Sequence, residues 1–219
     1  MTPSGRGRER RLGRPPDVDS TATRAALITA ARRTFAEHGF DATTNRAIAD
    51  AAGLTAGAIY HYFPSKADLY VAVFLELQDR FEAYYEEAIK NHDHLVDRYC
   101  ALVDNAVALN REDPTLSAFF VASPGEIRSH PELRERLAES KMRRNVWLRR
   151  LAQDATARGE LGGQVDARAL QDLLGLVLSG LASFAHVTGD PTRHGAAAEV
   201  LKQFLRGQLV AWDAAGAAS

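Results

Sequence analysis

Threonine and lysine side chains in the first third of the chain have the chemistry of a phosphate site. Thr43 and Thr44 precede a predicted short helix at about 45–52, where free backbone N–H groups, the helix dipole and a hydroxyl can bind an anion. Lys66 follows Ser65 at the start of a long predicted helix and would hold a second phosphate. Contacts of this kind set the register of a protein on nucleic acid and not its sequence preference.

The charges of the chain are unevenly distributed. Residues 1–66 contain ten Lys and Arg against six Asp and Glu, whereas residues 67–219 contain seventeen against twenty-two. A basic front end on a mildly acidic body indicates an anionic partner at one end only, either nucleic acid or an acidic membrane surface. No apolar run approaches the roughly 18–20 residues of a membrane span, and no apolar segment follows the arginine-rich N-terminus. We therefore expect a cytoplasmic protein without a transmembrane helix or a secretory signal.

The sequence offers little for catalysis or metal binding. It contains no Gly-rich phosphate loop and no nucleophile elbow, and its single cysteine, Cys100, excludes a CxxC metal site. His92 and His94 flank Asp93, but one short cluster near a helix end is typical of a solvated turn. We predict no catalytic residue, no metal and no cofactor.

The elements that must position these residues are all helical. Residues 1–18 lack apolar periodicity and are predicted to form a disordered basic arm. A first helix is expected to begin at a cap on Thr21 or Thr23 and to end at Gly39. Further helices are predicted at about 45–52, 56–62, 66–91, 95–110, 114–122, 132–158, 166–188 and 195–212, with a break at Ser123-Pro124-Gly125. No strand pattern is present, so the predicted fold class is all-α.

The stretch from Thr44 to Phe63 has the spacing of a helix-turn-helix. The small Ala49 lets two helices cross closely, and Gly53 permits a left-handed turn between them. Ile48 and Ile59 would fill the small core beneath the turn. Such a unit projects its second helix into the major groove of DNA, although a plain helical corner has a similar pattern.

The sequence TTNRAIADAAGLTAGAIYHYFPSKADLY, from Thr43 to Tyr70, closely resembles the N-terminal domain of the tetracycline-repressor (TetR) family of transcriptional regulators. The resemblance extends over about residues 24–75 and departs from the family at Asn45, where an apolar residue is usual. It implies a three-helix DNA-binding domain at 19–66, joined by a long helix to an effector-binding and dimerisation domain at 67–219. It also implies a homodimer whose two helix-turn-helix units enter successive major grooves and change their spacing when a small molecule binds.

The resemblance assigns further DNA contacts by position. Arg46 falls where some family members read guanine, and a guanidinium suits the O6/N7 edge of that base, although a solvated or phosphate-bound arginine fits equally well. Tyr60 and His61 match positions that touch the DNA backbone or bases. The start of the recognition helix offers only small side chains, which can meet thymine methyl groups but cannot pair with bases in a bidentate way: Thr55, Ala56, Gly57 and Ala58. Sequence discrimination is therefore expected to depend on Arg46 and on DNA shape.

The N-terminal arm has a possible role of its own. Gly13-Arg14-Pro15 resembles the core of a hook that binds the minor groove, and arginines on a flexible arm favour narrow A·T-rich grooves. The alternative for Arg14 is a nonspecific phosphate tether.

Two C-terminal segments are candidates for a dimer interface. The helix at about 166–188 is apolar nearly all round, which indicates burial on all sides, and the helix at about 195–212 carries an apolar stripe that includes Phe204 and Trp212. The family resemblance implies a four-helix bundle made by these helices of two subunits. The alternative is that both helices close the core of one subunit.

Aromatic and leucine side chains suggest where an effector pocket lies. The family resemblance places the pocket where the C-terminal helices converge, and the candidate lining residues there are Phe81, Tyr84, Tyr99, Phe119, Phe120, Trp147 and Leu174. As a group they indicate a largely apolar ligand with few polar anchors, although core packing explains any single one of them.

Arg144 is the least expected residue of the predicted helix at 132–158. It lies at the centre of an apolar stripe, where an unpaired guanidinium would cost several kcal/mol of desolvation. It could reach water, pair with a buried acid, or face the pocket and bind an anionic or hydrogen-bonding group of the effector. In the last case we expect an amphipathic acid as the effector.

These features together predict a ligand-responsive DNA-binding regulator, most simply a repressor released from its operator by a small, largely apolar effector. Its predicted partners are operator DNA, the effector and a second copy of the chain, without a membrane. The alternatives are a DNA-binding protein without an effector and, with no supporting motif, an all-helical enzyme.

Overall fold

A computed structural model of the chain describes residues 16–138, 146–163 and 165–209, and the regular structure in these ranges is entirely helical. Arg14, Arg144 and Trp212 lie outside the described residues. The helices are α1 (Pro16–Ala42), α2 (Asn45–Ala51), α3 (Ala56–Tyr62), α4 (Lys66–Lys90), α5 (Leu95–Glu112), α6 (Pro114–Ser129), α7 (Pro131–Arg136), α8 (Val146–Ala157), α9 (Ala167–Thr188) and α10 (Pro191–Leu205).

Helix α1 starts earlier than its sequence pattern indicates. It begins at Pro16, so the expected start at Thr21 or Thr23 is wrong, and residues 16–18 belong to a helix and not to the arm. Proline is well suited to a first helical position, because its fixed φ matches the helix and its missing N–H would have no helical partner there. Gly39, at φ +76°, interrupts the helix as predicted, and the ring of Phe40 stacks on that of Phe35 at 6.0 Å.

Helix α6 continues through Pro124, so the predicted break at that residue is wrong. Proline has no N–H to donate to the carbonyl four residues earlier, here that of Phe120. The hydroxyl of Ser123, a fully buried residue, donates to the Phe120 carbonyl at 3.0 Å and replaces the missing bond. Five further residues of α6 then follow, with Ile127 buried in the core.

The predicted single helix at 132–158 is not continuous. Helix α7 ends at Arg136 with Leu137 as its C-cap, and α8 begins at Val146. The two segments pack into different cores: Leu133 and Leu137 lie in the first and Leu148 in the second. A straight helix would have presented all three on one face, but two separate cores require a change of direction.

The first core joins α1, α2, α3, α4, α6 and α7 with Leu109 near the end of α5, and the second joins α5, α8, α9 and α10 with the end of α4. Helices α1 to α3 therefore share their core with α6 and α7, which lie in the predicted C-terminal domain.

The last two helices leave apolar surface exposed. On α9 the exposed fractions are 56% for Leu173, 70% for Leu176 and 82% for Val187, so the expectation of burial on all sides is wrong for a single chain. On α10, which begins at Pro191 and ends at Leu205, Val200 and Phe204 are also exposed. By length and composition α9 is also, among the described residues, the helix that could cross a membrane, contrary to the expectation that no segment qualifies.

Candidate DNA-binding surface and effector cavity

Helices α2 and α3 form the predicted helix-turn-helix. Gly53 adopts φ +69° between them, and the Leu54 N–H donates to the Ala49 carbonyl at 2.9 Å, which closes the turn. Ile48, Ala49 and Ile59 are fully buried beneath it. Gly53 therefore forms the left-handed turn, and the small Ala49 is buried between the two helices, as predicted from the sequence.

The N-terminus of α2 exposes one of its two threonines. Thr44 is exposed and caps the helix, its hydroxyl accepting from the Ala47 N–H at 3.1 Å. Thr43 is 2% exposed, and its hydroxyl donates to the Gly39 carbonyl at 2.7 Å, with the Thr34 carbonyl 3.3 Å away. The expected phosphate contact by the Thr43 side chain is wrong, because that hydroxyl closes the end of α1.

The other predicted DNA contacts on α2 and α3 are accessible. The Arg46 side chain is 86% exposed, and its nearest acid, Asp50, is 3.9 Å away. Tyr60 is 59% exposed, and His61 is exposed as well. At the start of α3, Thr55 makes no side-chain capping bond, and the small residues are exposed or half-buried: Thr55, Ala56, Gly57 and Ala58.

Lys66 has a different role from the one its position indicates. Its ammonium donates to the carbonyls of Phe40 at 2.6 Å, Thr43 at 3.0 Å and Asp41 at 3.3 Å, and it lies 4.4 Å from the centroid of the Phe40 ring. An ammonium has three donors, and all three are directed at backbone oxygens. These contacts favour a structural role for Lys66 at the carbonyl end of α1 over the predicted phosphate contact, which stays a prediction.

A buried ion pair joins α1 to the start of α6. Arg32, 4% exposed, donates to Asp113 at 2.5 Å and to the Thr115 hydroxyl at 3.2 Å. Partial burial opposes ionisation of Asp113, but hydrogen bonds from Thr115 and the charge of Arg32 together hold the pKa of that carboxyl below its usual value. The guanidinium is held at the inner face of α1, where its removal would leave Asp113 with the exposed Arg33, 3.8 Å away, as its cationic partner.

A second junction joins the end of α1 to the end of α6. The Phe40 N–H donates to the Glu126 carboxylate at 3.0 Å. The ring nitrogens of His130 lie 2.8 Å from the Glu126 carbonyl and 3.0 Å from the Asp41 carboxylate. Residues 40 and 41, which lead into the helix-turn-helix, are thereby fastened to α6.

Beneath both junctions runs a chain of aromatic contacts. Tyr70 of α4 lies 5.0 Å from Phe35 and 5.4 Å from Phe40, measured between ring centroids. On its other side it lies 4.9 Å from Phe119 of α6. Phe119 also lines a cavity of the C-terminal half, so the DNA-binding core and the cavity share one layer of side chains.

That cavity has a volume of about 310 Å³ and is enclosed by α4, α5, α6, α8, α9 and the start of α10. It contains four of the predicted lining residues: Phe81, Phe119, Phe120 and Trp147.

Three predicted lining residues lie elsewhere. Tyr84 is 37% exposed, with the Arg80 guanidinium over its ring, because it lies on the outer side of α4. Tyr99 is 1% exposed, and its hydroxyl donates to the Leu174 carbonyl at 2.7 Å. Tyr99 and Leu174 belong to the second core, so their assignment to the pocket is wrong.

The sequence analysis missed the polar lining of this cavity, which includes Gln78, Asn110, Ser117, Asp172 and His194. Asn110 and His194 are only 7% and 2% exposed. The sequence does place polar residues on otherwise apolar faces of α5 and α10. The same pattern occurs where a polar side chain is hydrogen-bonded inside a core, so it does not by itself predict a cavity.

Comparisons with known proteins match both halves of the chain. Residues 27–73 match the model described as "Bacterial regulatory proteins, tetR family", and residues 95–210 match "BetI-type transcriptional repressor, C-terminal". The HTH-type transcriptional regulator UidR of Escherichia coli (strain K12) is 28% identical over 198 residues, which are 89% of this chain and 96% of that protein. The HTH-type transcriptional repressor Rv1474c of Mycobacterium tuberculosis is 29% identical over 189 residues, 84% of this chain and 94% of that protein.

Solved structures show the same fold. Salmonella enterica GusR has a TM-score of 0.67 and 32% identity, covering 86% of this chain and 95% of that one. The regulator FadR from Bacillus subtilis, in complex with stearoyl-CoA, has a TM-score of 0.72 at 22% identity, covering 85% and 99%. Because a family model matches more than half of the sequence and these relatives span nearly all of it, the chain belongs to the TetR family of bacterial transcriptional regulators, which are DNA-binding proteins and not enzymes.

Proposed function

We propose that this protein is a ligand-responsive repressor that binds operator DNA through α2 and α3 and is released when a small, largely apolar effector fills the cavity. The observation that carries the proposal is the double role of α6. Its middle lines the cavity through Phe119 and Phe120, and Glu126 near its end holds the residues that lead into the helix-turn-helix. A displacement of α6 would therefore move the DNA-binding helices.

The coupling needs two arrangements of α6 with different affinities for the effector, because a ligand shifts an equilibrium only by its differential affinity. Phe119 lies between the cavity and Tyr70, so an effector that displaces this ring also acts on the core of the DNA-binding domain. The buried Arg32–Asp113 pair would transmit the movement of α6 to α1, since separating it leaves the buried Arg32 guanidinium without its carboxylate.

The operator would be bound by a homodimer. The exposed apolar side chains of α9 and α10, among them Leu176, Val187 and Phe204, support an interface between two copies through about residues 166–188 and 195–212. Burying such a surface contributes about 25 cal/mol per Å² of apolar area. A second copy of the chain would cover the exposed apolar side chains of α9, so their exposure is explained without a membrane. The protein would act in the cytoplasm, where operator DNA is accessible.

DNA contact is assigned to the exposed residues of α2 and α3. Thr44 at the start of α2 would bind a phosphate, and Arg46 beside it would read a guanine. Tyr60 and His61 would contact the DNA backbone or bases, and Arg14 of the N-terminal arm would bind the minor groove or a phosphate.

The experiment that tests DNA recognition is fluorescence anisotropy with DNA from around the coding region of this protein and with random DNA, at several salt concentrations. We expect Arg46→Ala to cost about 1–3 kcal/mol on the operator and to relax the preference at one base pair. The control is Arg150→Ala on α8, which removes an exposed arginine far along the chain from the helix-turn-helix. Equal weakening on all DNA would make Arg46 a phosphate contact, and unchanged binding would contradict its place in the interface.

A separate measurement tests the response to an effector. Compounds that bind the purified protein are added to its complex with operator DNA, and the fraction of bound DNA is followed. Release in proportion to occupancy of the cavity is the expected result. Binding of ligands without any release would favour the alternative, a DNA-binding protein without an effector.

A further inference from the structure

The effector cavity has two chemically different ends. At one end the rings of Tyr85 and Trp147 are stacked, with centroids 3.9 Å apart and planes 25° apart. Phe81 lies beside them, 6.2 Å from Tyr85 and 5.7 Å from Phe120. Four aromatic rings in contact provide a surface suited to a flat apolar body.

The other end is polar and lies where α5, α6 and α10 meet. Asn110 of α5 accepts a hydrogen bond from the Ser117 hydroxyl of α6. The guanidinium Nη2 of the adjacent Arg111 lies 3.6 Å from the position that a Cβ atom on Gly195 would occupy. The end of α5 is therefore next to the start of α10. His194, the neighbour of Gly195, therefore lines the cavity at the same end as Asn110.

His194 carries hydrogen-bonding capacity that no described residue uses. The residue is 2% exposed, and its Nε2 atom is buried without a hydrogen-bond partner in the part of the chain that the structure describes. An unsatisfied buried polar atom destabilises the folded protein, so a ligand that pairs with it gains affinity. The residue lines the cavity, and a half-turn of its ring exchanges the nitrogen and carbon positions.

The neutral form of the His194 imidazole is favoured over the charged form. Burial, and then the positive charge of Arg111, lowers the pKa of His194 below its usual value. A neutral imidazole has one N–H donor and one acceptor nitrogen, so it can bind a carbonyl or a hydroxyl.

Within the described ranges, the lining of the cavity contains no lysine or arginine. A carboxylate brought into this site would therefore lose its hydration without gaining a cationic partner from the described lining residues.

We propose that the effector is an uncharged molecule with a flat apolar body, which lies on the aromatic rings, and a hydroxyl or carbonyl oxygen, which hydrogen-bonds to His194. This inference rests on the proposed function, since it concerns the ligand of the same cavity. It differs from the amphipathic acid that the position of Arg144 in the sequence suggested.

The test uses four naphthalenes that share one body: 2-acetylnaphthalene, 1-(2-naphthyl)ethanol, 2-ethylnaphthalene and 2-naphthoate. Trp212→Phe leaves Trp147, in the cavity wall, as the only tryptophan of the two in the chain, and its fluorescence reports binding. We expect the ketone and the alcohol to bind about fivefold more tightly than 2-ethylnaphthalene, and 2-naphthoate to bind at least tenfold more weakly than either. A fivefold difference corresponds to about 1 kcal/mol, one neutral hydrogen bond.

His194→Leu should abolish the preference for the ketone and the alcohol while leaving the affinity for 2-ethylnaphthalene unchanged. His194→Gln, which keeps a donor and an acceptor, should retain part of the preference and serves where the leucine variant does not fold. The matched control, His186→Leu, replaces an exposed histidine of α9 and should change none of the four affinities.

The proposal is overturned if 2-ethylnaphthalene binds as tightly as the ketone and the alcohol, if 2-naphthoate binds most tightly, if none of the four compounds binds, or if His194→Leu keeps the preference. Operator release is measured separately with the same compounds. Binding that depends on His194 without release of DNA contradicts the proposed function and leaves this inference intact. Equal release of DNA by 2-ethylnaphthalene and the ketone contradicts this inference and leaves the proposed function intact.

Discussion

Lys66 gives the sharpest test of the structure, because its position in the sequence and its contacts predict different phenotypes. A lysine at the start of α4 is expected to bind a DNA phosphate, yet its ammonium donates to the carbonyls of Phe40 and Thr43 at 2.6 and 3.0 Å. The substitution Lys66→Met keeps the length of the side chain and removes the charge and the donors. We therefore expect a loss of stability and not a specific loss of DNA affinity.

The size of the effect follows from these contacts. Hydrogen bonds to a charged group contribute about 1.5–3 kcal/mol each, and the third contact, 3.3 Å from the Asp41 carbonyl, is too long to add much. The bonds share one ammonium that is only half-buried, so their energies do not add fully. We expect a loss of about 2–3 kcal/mol, which corresponds to a fall in Tm of about 4–12 °C for a chain of this size.

Two measurements are needed, thermal unfolding by circular dichroism and operator affinity as a function of salt. Lys66→Met should lower Tm and leave the slope of log K against log salt unchanged, because no phosphate contact is lost. The control is Lys90→Met at the other end of α4, whose side chain is 69% exposed and which should change neither quantity. An unchanged Tm together with a slope reduced by about 0.9 per subunit would refute the assignment and restore the phosphate contact.

Three further predictions concern the junction between α1 and α6. Gly39→Ala should destabilise the protein by about 1–3 kcal/mol in urea unfolding, because φ is +76° and the new Cβ would lie 2.9 Å from the Glu126 carboxylate; an unchanged midpoint would contradict the geometry. Ser123→Ala should cost about 1–3 kcal/mol in the same assay by leaving the Phe120 carbonyl unpaired, whereas Ser123→Thr should keep the bond. Desolvation lowers the pKa of His130, but its hydrogen bonds and neighbouring carboxylates raise it more, to above the usual value of about 6.5. The charged form of His130 therefore contributes its full stabilisation below about pH 6.5, and this contribution is lost as the pH rises through the raised pKa. His130→Gln should flatten that part of the curve of unfolding free energy against pH.

The local features of the DNA-binding domain were predictable because their causes lie within a few residues of each other. Gly53 turns the chain between two short helices, Ser65 caps α4, and Gly39 interrupts α1, and each of these effects depends on one residue and its near neighbours. The aromatic wall of the cavity was partly predictable for a similar reason, since Phe119 and Phe120 follow from the apolar pattern of α6.

Predictions failed where a residue's role depends on a distant partner. The sequence predicts that Pro124 ends the helix. In the structure the Ser123 hydroxyl donates to the Phe120 carbonyl in place of the missing N–H, and Ile127 packs the following turn into the core. Tyr84 and Tyr99 have the composition of pocket residues, but the rotation of α4 directs one outward and the packing of α5 directs the other to a backbone carbonyl.

The sequence by itself determined the all-α class, the helix-turn-helix and the family, because helix periodicity, caps and turn glycines act over a few residues. Only the tertiary structure decided that Lys66 serves the fold and that His194 lines the cavity. These roles arise from contacts between residues far apart in the chain, such as the bond of Phe40 to Glu126 across 86 positions. Side-chain identity limits which bonds a residue can make, but the packing of the helices selects which of those bonds are formed.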